Sequence, residues 1–382
     1  MPERLPHPGA RVRDYDLHGI VGIRLVDATP AQAAAVAGQI GAAKRTLERP
    51  PDVVIRFVDH LPTPTRICYV GANTGISDDA LVLLDPGVSK RPLVQIPFAD
   101  IGRRCDITCE HGVSQVPLLV PIVNLTALGK GYLPLHGSAF GFSGGGAIAA
   151  GLSRGGKTGT LLAFMAHGAS YIGDDWVYVA PDGETAFGLP GVMEVRHAYL
   201  QALPQYHARL DRSERRRLRA LALLQRLERV FPDGSRRPAF GAGLRHRVRA
   251  ALERRLFVHV SPQQLFGPAA CPGWGRVNTV FVLFSHDAPE VTVRRIEPED
   301  AVRHVMFSLR HEWLELTSYY LQFRFALPSA RNELLEQHEE RLHEALARAL
   351  NGKETYAVGH PSPVPVAMMY AALRPLFPEQ RP

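Results

Sequence analysis

Cysteine and lysine are both scarce in this chain of 382 residues. Its 4 cysteines are too few for a small secreted fold that depends on disulfides. Lysine accounts for only 5 of the 44 basic residues, and the others are arginines. The formal net charge of +7 therefore reflects an arginine-rich composition and is weak support for nucleic-acid binding. Because lysine is rare, the position of each lysine is informative.

Long apolar runs are also missing. The longest candidate, residues 116–128, is shorter than the ~20 residues that span a bilayer, and Pro117 and Pro121 interrupt it. The N-terminal segment up to Asp16 is rich in proline and arginine and lacks the apolar core of a signal peptide. We therefore expect a cytoplasmic protein that is not inserted in a membrane.

The composition is typical of a globular protein with an ample core, since 46% of the residues are apolar and 21% are charged. The length suits two domains or one large domain. We predict a flexible lead-in at 1–15, an N-terminal α+β domain at 16–112, a second domain at 113–355, and a proline-rich C-terminal tail at 356–382 that holds a short helix. The predicted fold class is α/β (α+β).

Local patterns predict the secondary structure. Short apolar runs bounded by Pro, Gly, Asn and Asp predict strands, and leucine or alanine at helical spacing predicts helices. Thr29-Pro30 suits a helix start, with threonine as N-cap and proline in the first turn. The predicted strands lie at 16–26, 53–58, 66–70, 80–84, 93–98, 135–142, 146–150, 170–179 and 277–284, and the predicted helices at 30–40, 116–128, 159–167, 208–231 and 329–350.

A glycine-rich loop is the strongest functional motif of the chain. Residues 151–158, GLSRGGKT, match the pattern G-x-x-x-x-G-K-[ST] at every position. In such a loop the glycines let backbone N–H groups surround phosphate oxygens, while the lysine, here Lys157, reaches the β- and γ-phosphates. The hydroxyl, here Thr158, binds Mg²⁺, and the helix that follows presents its positive end to the anion. The motif predicts a nucleotide-binding site.

Two adjacent carboxylates, Asp174 and Asp175, follow the loop after one predicted helix and one predicted strand. In a nucleotide site one such carboxylate holds Mg²⁺, directly or through water, and a second can accept the proton of an attacking hydroxyl. Two aspartates after a glycine are by themselves more typical of a solvated turn. The preceding phosphate loop favours the functional interpretation.

Two further patterns carry less weight. Cys105, Cys109 and His111 lie close together, but no second ligand pair follows at zinc-site spacing, so we interpret them as buried or incidental residues. The arginine-rich stretch 209–255 could dock an acidic peptide, RNA or a phosphorylated partner. Its leucine periodicity instead favours an amphipathic helix with a solvated charged face. No nucleic-acid signature accompanies it, so we do not expect nucleic acid as a partner.

The order of these motifs resembles the HPr kinase/phosphorylase superfamily, whose catalytic core is related to that of ATP-dependent phosphoenolpyruvate carboxykinases. His136-Gly137 lies in a first strand, and a hairpin leads to the loop at 151–158. A short helix then ends in His167-Gly168-Ala169, and a strand leads into GDDW at 173–176. The resemblance is to a divergent relative and covers a small part of the chain.

This resemblance implies that the second domain is an HPr-kinase-like P-loop domain with a mixed, partly antiparallel sheet. It implies ATP on the loop, Mg²⁺ on Thr158 and Asp175, and Asp174 as the base toward a serine hydroxyl, with the reverse order of the two aspartates left open. His136 matches the superfamily's strand histidine near the phosphates. The residues that would contact the nucleotide are Gly151, Ser153, Arg154, Gly155, Gly156, Lys157, Thr158 and Gly159.

A second signature of the superfamily is matched only weakly. Glu194 and Arg196 correspond to its Glu-x-Arg-Gly sequence, in which the glutamate assists with Mg²⁺. His197 and Ala198 stand where glycines are expected. This departure puts a phosphorylase activity in doubt.

The sequence therefore predicts an ATP- and Mg²⁺-dependent kinase that phosphorylates a hydroxyl, with a serine of a protein or peptide as the favoured acceptor. Two alternatives stay open. One is a kinase of a small molecule or a peptide natural product, which would use the same site. The other is a nucleotide-binding sensor or recognition protein without catalysis. The resemblance also makes a homo-oligomer a candidate assembly.

Overall fold

The computed structural model describes residues 9–41, 46–64, 66–86, 91–230 and 255–377. Helices contain 37% and strands 31% of the residues, and both sheets mix parallel with antiparallel pairs, which confirms the predicted α/β (α+β) class. Among the described residues, no helix combines the length and apolar character needed to cross a membrane.

The N-terminal part forms an 8-stranded sheet with the order β1-β2-β3-β8-β7-β6-β5-β4. Strands β2, β3 and β8 run parallel to one another, and the remaining neighbours are antiparallel. The strands are β1 Val12–Leu17, β2 Val21–Val26, β3 Val53–Val58, β4 Cys68–Gly71, β5 Thr74–Ser77, β6 Ala80–Leu84, β7 Pro92–Pro97 and β8 Cys105–Glu110.

Helix α1, Pro30–Ile40, connects β2 to β3, as its sequence predicts. The Thr29 side chain accepts a hydrogen bond from the backbone of Gln32, and the Gln32 side chain accepts one from the backbone of Thr29. This reciprocal capping satisfies N–H groups that a helix start leaves unpaired. Gly41 ends the helix with φ of 58°, a conformation that glycine adopts at little cost.

The second part of the chain forms a 9-stranded sheet with the order β16-β13-β12-β9-β10-β17-β19-β18, and β11 also pairs with β9. Strands β10, β17 and β19 are parallel to one another, and the other neighbours are antiparallel. Strands β14 and β15 form a separate antiparallel pair. The strands are β9 Leu133–Phe142, β10 Gly145–Ala150, β11 Ser170–Gly173, β12 Trp176–Val179, β13 Thr185–Gly188, β14 Met193–Arg196, β15 Phe257–Val260, β16 Trp274–Arg276, β17 Thr279–His286, β18 Thr292–Arg295 and β19 Glu354–Pro361.

Helices cover both faces of this second sheet. The helices after α1 are α2 Leu119–Gly129, α3 Lys157–Met165, α4 His197–Ala202, α5 Pro204–His207, α6 Arg212–Val230, α7 Pro262–Phe266, α8 Pro298–Ala326, α9 Glu333–Glu336, α10 His338–Leu350 and α11 Val366–Leu373. Helices α3 and α11 pack in one apolar core with Phe140, Ala149 and Phe281 of the sheet. Helices α2, α8 and α10 pack in the other core, against Ile148 and Val282.

The N-terminal sheet shares this second core instead of enclosing a separate one. Residues of β2, β3 and β8 belong to the same apolar cluster as α2, α8 and α10. Asn332 adds a polar link, because its buried side-chain amide donates to Phe98 O at 2.8 Å and to Ile101 O at 2.9 Å. The side chain of Lys130 also reaches back, to Asp52 at 2.6 Å. The sequence predicts two domains, but the packing joins their interiors.

Several predicted boundaries are wrong. Strand β1 begins at Val12, inside the predicted lead-in at 1–15, because it pairs with β2 along its whole length. Residues 356–361 are not part of a tail, since β19 lies inside the second sheet between β17 and β18. The predicted helix at 329–350 is interrupted at Gln337.

The helices predicted at 116–128, 159–167 and 208–231 are present with shifted ends, as α2, α3 and α6. The 29-residue helix α8 was not predicted. Of the arginine-rich stretch 209–255, residues 231–254 lie outside the described residues.

Cys105 and Cys109 lie in β8, and both are fully buried in the apolar core. Burial raises the pKa of both thiols, that of Cys109 to about 12. The ring of His111 faces the side chain of Gln32 at 3.2 Å. The two cysteines are thus core residues, and His111 is only half-buried.

Candidate active site

The phosphate loop, residues 151–156, connects β10 to α3. It lies at the edge of the sheet where the parallel strands β10, β17 and β19 have their carboxyl ends. Ligands of α/β sheets commonly bind outside this edge, because it is where connecting loops and helix N-termini meet. The position of the loop therefore agrees with the anion-binding function that its sequence predicts.

The backbone of the loop needs its glycines for steric reasons. Gly156 has φ of 95°, and a Cβ there would lie 2.5 Å from His360 Nε2. A Cβ on Gly155 would lie 2.8 Å from Leu152 O, and one on Gly159 would lie 2.9 Å from the hydroxyl of Tyr199. Because these three glycines have no side chains, the loop and the start of helix α3 can pack directly against His360 and Tyr199.

Lys157, the first residue of α3, is buried under the loop. Its Nζ donates to Gly151 O at 3.0 Å and to Leu152 O at 2.9 Å. Burial lowers the pKa of Lys157, and the nearby charges of Glu312 and the two aspartates oppose this. An ammonium group has three donors, so one remains for a ligand in the cavity.

Thr158 and Asp174 form a direct pair. The Thr158 hydroxyl donates to the Asp174 carboxylate at 3.0 Å from Oδ2 and 3.2 Å from Oδ1. Burial raises the pKa of Asp174 to about 7, and the neighbouring Asp175 carboxylate adds to the shift. The hydrogen bond from Thr158 opposes it, because it stabilises the charged form.

Asp175 belongs to a second group of titratable side chains. Its φ of 71° turns the chain between β11 and β12, and its side chain remains 67% exposed. Its Oδ1 lies 3.2 Å from Nε2 of the buried His136, and His136 Nδ1 lies 2.7 Å from Glu312 Oε1. Burial lowers the pKa of His136, but the two carboxylates outweigh it, and the pKa is raised from its usual value.

These residues surround one cavity of about 470 Å³. The residues that the sequence predicts for the site and that line this cavity are His136, Ser153, Arg154, Gly156, Lys157, Thr158, Asp174, Asp175, Glu194 and Arg196. Gly151, Gly155 and Gly159 do not line it. They shape its floor through the backbone contacts of the loop and of α3.

Glu194 and Arg196 lie on β14, and both line the same cavity as the loop. Both are exposed, since alternate residues of a strand point to the same side. Glu194 pairs in register with His259 of β15. The two side chains reach the cavity although the glycines expected after them are missing.

The sequence did not point to four residues of this site: Glu312, Tyr199, His259 and Val192. Glu312 comes from α8, and the other three line the cavity. None of them stands in a recognisable motif. Only the tertiary structure brings them to the loop.

The side chains beside the loop suit an Mg²⁺ ion that is bound partly by nucleotide phosphates better than a metal ion that is held by protein groups alone. Within the described ranges, no group of three or more His, Cys, Asp or Glu side chains is arranged to hold a metal ion. Mg²⁺ usually keeps several waters and is bound through one or two carboxylates and the phosphates of a nucleotide. The hydroxyl of Thr158 and the carboxylate of Asp174, 3.0 Å apart beside the loop, fit this pattern.

Neither a scan against protein-family models nor a search of curated proteins finds a match for this chain. The resemblance to the HPr kinase superfamily stays a prediction from the motifs at 136–176, and the chemistry of the site is inferred from its geometry.

Proposed function

We propose that this protein is an ATP- and Mg²⁺-dependent kinase that transfers the γ-phosphoryl group of ATP to a hydroxyl, with a serine of a protein or peptide as the favoured acceptor. One observation carries the proposal. The phosphate loop, the Thr158–Asp174 pair and the exposed carboxylate of Asp175 line the same cavity. Phosphoryl transfer needs little more than positioning and charge neutralisation, and these groups supply both.

The loop and Lys157 would bind the phosphates. The first N–H groups of a helix have no carbonyl one turn earlier to bind, so the start of α3 offers donors to an anion. The Lys157 ammonium adds a positive charge that its two loop carbonyls hold in place. A ligand with several adjacent negative oxygens is the one that such a site favours.

Thr158 and Asp174 would hold Mg²⁺. The Thr158 hydroxyl oxygen and Asp174 Oδ2 lie 3.0 Å apart, so one ion would be able to contact both. When bound, Mg²⁺ neutralises charge on the β- and γ-phosphate oxygens. This geometry favours Asp174 on the metal side, which reverses the order of the two aspartates that the sequence analysis preferred.

Asp175 would then serve as the base. It is the more exposed of the two aspartates, and its Oδ1 lies 3.2 Å from Nε2 of His136, which would orient it. As the acceptor oxygen forms its bond to the γ-phosphorus, the bond between that phosphorus and the β,γ-bridging oxygen breaks. ADP leaves with the electron pair of the broken bond, and the acceptor proton moves to the Asp175 carboxylate.

The exposed side of the cavity would receive the acceptor. Arg154 of the loop, Arg196 of β14 and the apolar Val192 are exposed and line the cavity. Two arginines at the mouth favour an acceptor segment that carries acidic side chains near the hydroxyl.

The test is incubation of the purified protein with Mg²⁺ and γ-labelled ATP, alone and with cell lysate. Wild-type protein should transfer label to an acceptor that mass spectrometry can identify, and Lys157→Ala, Asp174→Asn and Asp175→Asn should not. Lys353→Ala is the matched control, because Lys353 is half-buried and, like Lys157, donates to a backbone carbonyl, that of Val277, but does not line the cavity.

Each outcome distinguishes one class of protein. Label on a peptide or small molecule, and not on a protein, would support the natural-product or small-molecule alternative at the same site. ATP binding with neither transfer nor hydrolysis would favour a nucleotide sensor. Failure to bind ATP, or full activity in Lys157→Ala, would contradict the proposal.

A further inference from the structure

Three buried side chains from outside the motif hold carbonyl groups of the phosphate loop and of the residue after it. Ser308 of α8 donates to Gly151 O at 2.9 Å, and Ser138 of β9 donates to Lys157 O at 2.8 Å. His360 of β19 lies with Nε2 at 2.9 Å from Gly155 O. The loop is thus attached to three separate elements that follow or precede it in the chain.

Of the three side chains, His360 is the one that contacts the Gly155–Gly156 peptide of the loop. Its side chain is 0% exposed, and its second ring nitrogen, Nδ1, lies 2.9 Å from Pro361 O. Each neutral tautomer donates to one of these two carbonyls, and the protonated ring donates to both. Two of these three forms carry a proton on Nε2, and in both of them Nε2 donates to the carbonyl of Gly155.

Holding this carbonyl fixes a donor on the other side of the loop. A trans peptide is planar, so its C=O and N–H groups point in opposite directions. Gly155 O points toward His360, which is not among the residues that line the cavity, so the N–H of Gly156 in the same peptide points away from His360. Gly156 lines the cavity, so this N–H is available there to an anion.

The position of His360 also accounts for Gly156, the second glycine of the G-x-x-x-x-G-K-[ST] pattern. A Cβ at Gly156 would lie 2.5 Å from His360 Nε2 and 2.7 Å from Val364 Cγ2. Any side chain there would push the ring away from Gly155 O or move the loop. The position of the His360 ring therefore requires a residue without a side chain at position 156.

We propose that His360 is a positioning residue of the phosphate loop, which holds the Gly155–Gly156 peptide with its N–H toward the bound phosphate. The proposal deepens the kinase function above and rests on it for the identity of the anion as ATP. The attachment of the loop to His360 can be tested without any nucleotide.

The experiment compares two substitutions of similar length. His360→Gln keeps a donor that reaches Gly155 O, and His360→Met removes it. In the nucleotide-free protein, amide hydrogen exchange of the loop should become faster in His360→Met and stay near the wild-type rate in His360→Gln. The KM for ATP should rise about tenfold in His360→Met with little change in kcat, since the lost N–H contact is present in ground state and transition state alike.

His286→Met is the matched control. His286 lies on the neighbouring strand β17 and binds a carbonyl, that of Ala288, but does not contact the loop. It should leave loop exchange and the KM for ATP unchanged. Equal effects of His286→Met and His360→Met, or wild-type loop exchange in His360→Met, would overturn the positioning role.

Failure of the kinase proposal would look different. If the wild-type protein binds no ATP, the kinase function is wrong, and the exchange measurement alone decides the role of His360. If His360→Met does not fold, the His360→Gln protein decides the question. Loop exchange and a KM for ATP at the wild-type values would support the proposal. A loss of transfer activity as large as that of Lys157→Ala would overturn it.

Discussion

Glu312 Oε1 lies 2.7 Å from His136 Nδ1, although the two residues belong to a helix and a strand that are far apart in the chain. The other ring nitrogen, Nε2, lies 3.2 Å from Asp175 Oδ1. The His136 imidazole therefore links the carboxylate of Asp175, which lines the cavity, to the carboxylate of Glu312, which is not among the lining residues. Such an arrangement orients the ring and favours its protonated form.

Glu312→Gln should lower the pKa of His136. Burial already acts to lower that pKa, and the Glu312 carboxylate is one of the two groups that outweigh it. The measurement is an NMR titration of the His136 ring in both proteins. Glu315→Gln, an exposed glutamate of the same helix, is the control and should leave the titration unchanged. An unshifted His136 in Glu312→Gln would show that the two groups are not coupled.

The same pair should make stability depend on pH. The pKa of His136 is raised above 6.5, so the stabilisation from its protonated form is present below that value and is lost as the pH rises through the folded-state pKa. The pKa of Glu312 is lowered below 4.5, because His136 outweighs the effect of burial, and its contribution is lost as the pH falls through the folded-state pKa. Urea unfolding of wild type and Glu312→Gln should therefore differ most between about pH 4.5 and 6.5. A difference that is constant with pH would contradict this.

Thr158→Val should slow Mg²⁺-dependent transfer while the protein still folds, because valine has the shape of threonine without the hydroxyl. The loss should be about 10²-fold, the size expected when one preorganised polar group is removed. Thr158→Ser keeps the donor to Asp174 and should keep most of the activity. The measurement is the transfer rate against Mg²⁺ concentration. Equal activity of the valine and serine variants would exclude a role for the hydroxyl.

Gly156→Ala and Gly168→Ala should differ in stability, although both glycines have a positive φ, 95° and 86°. The left-handed conformation costs an alanine ~1–2 kcal/mol at either position. Only at Gly156 would the new Cβ meet neighbouring atoms, 2.5 Å from His360 Nε2, which adds ~1–3 kcal/mol. Urea unfolding of the two variants measures the difference. Equal free energies of unfolding would mean that the loop moves aside at no cost.

Asn332→Ala should destabilise the N-terminal and C-terminal sheets together, by about 1–3 kcal/mol for the buried carbonyls that it leaves unpaired. The Asn332 amide donates to Phe98 O and Ile101 O across the two parts of the chain. Asn351→Ala, at an exposed helix end, is the control. Hydrogen exchange of both sheets reports the effect. Faster exchange in one sheet alone would favour two independent domains.

Features that depend on neighbouring residues were predicted well from the sequence. The capped start of α1 and the turn from β10 through the loop into α3 are examples. Their signals are local, since turns, caps and strand alternation are properties of a few consecutive residues. Helix α8 was missed because it carries apolar side chains on more than one side, including the exposed Phe307, Leu314 and Leu321. This weakens the periodicity that marks an amphipathic helix.

By itself, the sequence determined where the phosphate loop lies, which lysine and hydroxyl it presents, and which aspartates follow it. The tertiary structure alone decided that Asp174 faces Thr158, that Glu312 supports His136, and that the supposed tail supplies His360 beneath the loop. Those contacts form because the parallel strands β10, β17 and β19 and the helix α8 bury their apolar sides together. Burial of this kind depends on contacts between distant parts of the chain, so it cannot be predicted from any short stretch of the sequence.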